Sequence, residues 1–84
     1  MNNSLTIAIG ARLVNRTFDK LCHVEEFKQL NYTQHKELQS RLSLALPAAM
    51  SLMEKGGTLE YAANYMVAIA TGIMQVMLND VTVH

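Results

Sequence analysis

AANYMVAIATGIMQVML, residues 62–78, decides how this chain is read, because no charged side chain interrupts it and the uncharged window around it runs from Tyr61 to Asn79. A stretch of that kind either spans a bilayer or lies buried between protein surfaces. Within a helix over about 59–79, Leu59, Ala62, Met66, Ile69, Ile73 and Val76 recur at alternating three- and four-residue steps and form one seam. Ala63, Val67, Ala70, Met74 and Met77 make a second apolar row beside it. Glu60, Asn64, Ala68, Thr71, Gln75 and Asn79 leave a narrower third stripe, polar but almost uncharged. A helix apolar on two sides suits the centre of a bundle, with neighbours on both.

The bilayer reading has some support. A spanning helix needs about 20 mostly apolar residues, which 61–79 barely supplies, and Ala68 and Gly72 are spaced as in helices that approach closely. Against it stand Asn64, Thr71, Gln75 and Asn79, and flanking residues that are Glu60 and Asp80 rather than a Lys/Arg cluster. Burial against protein is preferred, and membrane insertion of 61–79 is the alternative.

Moving upstream, Gly56 and Gly57 are the strongest break in the chain. Lys55 suits the negative end of a helix dipole, either glycine suits a left-handed cap, and Thr58 is an N-cap candidate with Glu60 in the turn behind it. So short a link predicts an antiparallel hairpin of helices over about 33–55 and 59–79. The first of these begins near Asn31 or Thr33 and carries Leu38, Leu42, Ala45, Ala49 and Leu52 as its seam. Pro47 in its middle predicts a kink near 43–47, or else two shorter helices with the proline in the first turn of the second. A packed N-terminal helix is expected over about 11–29, with Val14, Phe18, Leu21, Val24 and Phe27 inward. LTIAI at 5–9 and VTV at 81–83 alternate and read as short strands, or, more plainly, as a first helix starting near Ser4 and a frayed end.

Composition turns this all-α, single-domain reading of residues 1–84 towards association. Half of the residues are hydrophobic and 17% are charged, against about 25% in an average domain. A chain of this size buries only about 60–65% of its surface, so the surplus calls for a second copy or a protein partner. A homo-oligomeric bundle is expected, with a dimer as the first guess. Its candidate interface is Tyr61, Tyr65, Met66, Ile69, Ile73, Met74, Val76 and Met77, with the tyrosines as amphipathic anchors and the methionines as adaptable surface. Function on this basis is surface occupancy by an adaptor, inhibitor or regulatory subunit.

Other chemistries find less support. Zero net charge and an isoelectric point near 6.8 remove the usual basis for nucleic-acid binding. Arg12, Arg16 and Lys20 form one cationic row, the candidate phosphate contacts if the chain binds nucleic acid or a nucleotide. Cys22, His23 and Glu26 are too few for a zinc site, and His35 and His84 lie at unrelated spacings. No catalytic motif, metal set or cofactor fingerprint stands out, so an enzyme is not expected. One cysteine cannot make an internal disulfide, and no basic residue precedes the first apolar run; a cytoplasmic location is expected.

Overall fold

The computed structural model describes residues 3–83, with side chains placed over 5–79. Those residues form five helices packed together: α1 (Asn3–Leu21), α2 (Glu25–Gln29), α3 (Tyr32–Ser43), α4 (Leu46–Glu54) and α5 (Leu59–Val83). The all-α expectation stands. LTIAI is helical rather than extended, and so is 81–83; His84 lies outside the described residues. The helical start near Ser4, not Ala11, is the one the chain adopts.

Local chemistry accounts for most of the boundaries. Asn31 opens α3 through a capping box: its side chain accepts from the Gln34 N–H at 2.8 Å, while the Gln34 side chain accepts from the Asn31 N–H at 2.9 Å. Pro47 sits in the first turn of α4, where its missing N–H has no helical acceptor to lose. The 33–55 helix is therefore two helices, broken at Leu44–Ala45. At the end of α4 the Gly57 N–H donates to the Leu52 carbonyl at 2.9 Å and the Gly56 N–H to Met53 at 3.1 Å. That paired geometry is a Schellman motif, and it places Gly56 at φ +102°. Thr58 then caps α5 by accepting from the Tyr61 N–H at 3.0 Å.

The expected 11–29 helix also divides, at Cys22–Val24, although no glycine or proline marks the place. The break turns α2 so that the Phe27 ring meets Phe18 at 6.0 Å and the edge of His35 at 4.5 Å, distances at which aromatic rings attract. It also brings Leu30 into the core.

All four shorter helices pack on α5. Leu13 and Leu21 of α1, Leu38 and Leu42 of α3 and Ala49 of α4 meet Ala62, Ala63, Met66, Ala70, Met74 and Met77 of α5. The alanines let neighbouring helices come close, and the methionines fill what remains. Thr17 is buried among them, its hydroxyl donating to the Leu13 carbonyl at 2.8 Å. The result is a rod of 49 × 20 × 18 Å, set by a 25-residue helix that is about 37 Å long.

Candidate functional site

One side of α5 is its core stripe, and the other is open. On a helical wheel Tyr61, Ala68 and Gly72 lie within about 40° of one another, and Asn64, Tyr65, Gln75 and Val76 flank them. All seven are exposed. Tyr61 keeps 60% of its surface, Val76 53% and Tyr65 38%, so two aromatic rings and a branched aliphatic side chain stand in water along an uncharged helix face. Gly72 is open enough that an added side chain would meet nothing within 4 Å.

The expected interface residues therefore divide. Met66, Met74 and Met77 belong to the chain's own core and are corrected out of an outward-facing surface. A seam that averages under 3.6 residues per step drifts around the helix, so it starts inside at Ala62 and Met66 and emerges at Val76. Ile69 and Ile73 are half-buried at its edge and pack against the core. Tyr61, Tyr65 and Val76 face outward, together with Ala68 and Gly72, which share that face.

The exposed surface is larger than the chain's mass calls for. It amounts to 5653 Å², whereas a folded monomer of 9.4 kDa exposes about 5,000 Å².

The cationic row on α1 is largely engaged. Glu60, in the first turn of α5, takes an ion pair from Arg16 Nε and another from Lys20 Nζ, the latter at 2.8 Å. Hydrogen bonding from Arg16, then from Lys20, holds the Glu60 carboxyl down at about 2. Arg12 is exposed beside Ile9, Met53 and Leu59. The row ties α1 to the start of α5 more than it offers a track for phosphates.

Glu60 titrates lower in the folded chain than the usual value near 4.3, so its contribution is complete above that value and is lost as pH falls towards 2. Glu60→Gln should remove this part of the acid dependence of the unfolding midpoint between about pH 5 and 2. Because both partners are about half exposed, the wild-type slope should also flatten in high salt. Equal acid slopes for wild type and variant would mean that the pair ties nothing.

Between α1 and α3 lies a cleft of about 420 Å³, walled by Val14, Phe18 and Leu42, floored by Met66 and rimmed by Asn15, Gln39 and Ser43. Its lining carries no charge. Cys22 and His23 are exposed in the α1–α2 turn, and His35 is stacked on Phe27. Among the described residues no group of three metal-ligating side chains converges.

Leu59–Asn79 has a mean hydropathy of 1.3 and a third of its span is buried, so by length and composition it is long and apolar enough to cross a membrane. The core helix of a water-soluble bundle meets the same measure. Comparison with protein-family models, with curated proteins and with solved structures finds no match for the chain.

Proposed function

We propose that this protein is a small soluble interaction module, an adaptor, inhibitor or regulatory subunit that acts by occupying a surface and works as a homo-oligomer. The α3–α4 arm and α5 form the antiparallel hairpin of each copy, and a cytoplasmic location goes with the proposal. The observation that carries it is the open face of α5: Tyr61, Tyr65, Ala68, Gly72 and Val76, with the Asn64 and Gln75 amides among them, present an uncharged, mostly apolar surface. Monomeric proteins seldom leave such a face uncovered unless it is a contact site.

The test is light scattering on the untagged protein after size exclusion, without detergent. Wild type should elute at a multiple of 9.4 kDa, and Gly72→Asp should run as the 9.4 kDa monomer with unchanged helical content. Gly72 is a cleaner probe than Ile69 or Ile73, whose replacement by Asp would also wound the core they pack against. A wild-type monomer would overturn the homo-oligomer. Recovery only in detergent-extracted membranes would overturn the soluble module and favour insertion of 61–79.

A further inference from the structure

We infer that the open face of α5 pairs with the same face of a second copy in antiparallel orientation, about a two-fold axis level with residue 70. This rests on the homo-oligomer reading above and adds the partner's geometry. Three observations lead to it.

The first is area. The chain exposes 5653 Å², about 600 Å² more than its mass predicts. The elongated shape and exposed side chains such as Leu44 and Tyr32 share that excess, and the part on this face is Tyr61, Tyr65 and Val76, which keep 60%, 38% and 53% of their surface and which a second copy would cover. The face runs the length of the uncharged segment, so two such helices side by side supply the required contact without moving any other element.

The second is charge. No charged side chain lies between Tyr61 and Asn79, so the face offers nothing to a charged partner and would leave that partner's ions desolvated and unpaired. A second copy brings an equally uncharged surface.

The third is order along the helix. The aromatic side chains, Tyr61 and Tyr65, stand at the N-terminal half of the face, and the Gln75 amide and Val76 at the C-terminal half. A two-fold interface must be self-complementary. Antiparallel pairing about residue 70 sets Ala68 against Gly72 of the partner subunit, where small residues allow the axes to approach. It sets Tyr65 level with Gln75 of the partner subunit, ring hydroxyl to side-chain amide, with Val76 of the partner subunit on the same edge as Tyr65 and Asn64 on the edge of Gln75 of the partner subunit. Parallel pairing instead stacks tyrosine on tyrosine and amide on amide. The ends agree as well. Arg16, Lys20 and Glu60 leave one net positive charge at the start of α5, at the edge of the face. Antiparallel pairing brings the negative C-terminal end of the other α5 beside it.

Thiol cross-linking reads the orientation directly. In a Cys22→Ser background, Tyr65→Cys and Gln75→Cys chains are prepared separately, treated with a short bismaleimide alone and mixed, and analysed by mass. Both positions are exposed, and circular dichroism establishes that each variant folds. The antiparallel dimer gives the mixed 65–75 adduct, several-fold over either self-adduct, because like positions are then separated by about 15 Å along the axes. Self-adducts of each chain alone, with little mixed product, would overturn the antiparallel arrangement while leaving the homo-oligomer intact. Scattering that shows wild type as a monomer sinks both.

Discussion

Leu38→Ala should lower the stability of this protein by about 3 kcal/mol, within the 2–5 kcal/mol range for emptying a leucine site in a core. Leu38 is fully buried, on the inward side of α3 where that helix packs on α5. An 84-residue domain has about 4–13 kcal/mol in total, so this one side chain accounts for roughly a quarter of it or more. Urea unfolding at a fixed protein concentration would show the midpoint fall with an unchanged slope. Leu44→Ala provides the contrast. Leu44 lies in the α3–α4 break and keeps 83% of its surface exposed, so its removal should stay within about 0.5 kcal/mol. Similar midpoints for the two variants would mean that α3 does not pack on α5 as described.

Replacing Gly56 and Gly57 together by alanine should cost about 2–3 kcal/mol, from two separate causes. Gly56 sits at φ +102°, in a left-handed region that costs an L-residue about 1–2 kcal/mol. Gly57 has ordinary backbone freedom to spare but no room: a Cβ there would stand 2.8 Å from the Leu52 carbonyl oxygen. The backbone must shift, and the 57-to-52 hydrogen bond that closes α4 shifts with it, a loss of about 1 kcal/mol. Gly10→Ala is the control, since its new methyl would make an ordinary 3.5 Å contact with the Met50 sulfur inside a helix. Thermal unfolding should show the double variant well below wild type and Gly10→Ala at or above it. A double variant that melts with wild type would remove the turn from the account of how α4 meets α5.

What could be read in advance from the sequence was what local chemistry writes. The turn at Gly56–Gly57, the Thr58 cap and the span of α5 all rest on residues within a few positions of each other. Pro47 announced a break, and the sequence left open whether it bends one helix or separates two. The division at Cys22–Val24 had no such marker, because its cause is Phe27 reaching Phe18 and His35 across the sequence. LTIAI was ambiguous for a related reason. β-branched residues fit either state, and residues 5–8 are exposed in the helix, so no burial pattern marked their choice in the sequence. At the candidate surface, both apolar rows of α5 were visible, but which one the chain would keep for itself was not. That depended on where α1 and α3 docked, which placed Met66, Met74 and Met77 inside and left Tyr61, Tyr65 and Val76 in water. The tie from Arg16 and Lys20 to Glu60 was hidden likewise, since it joins residues forty or more positions apart.

Because each of the first four helices finds its main support on α5, the order of synthesis runs against the order of assembly. Residues 3–54 leave the ribosome as amphipathic segments with only the small contact between α1 and α4 to close upon, and they can settle fully only when Ala62 to Met77 has cleared the exit tunnel. Tension on the nascent chain should therefore stay low through the first four helices and rise late, in a single step, as that stretch emerges. Until then Leu13, Leu38 and Leu42, all buried in the finished fold, stay uncovered.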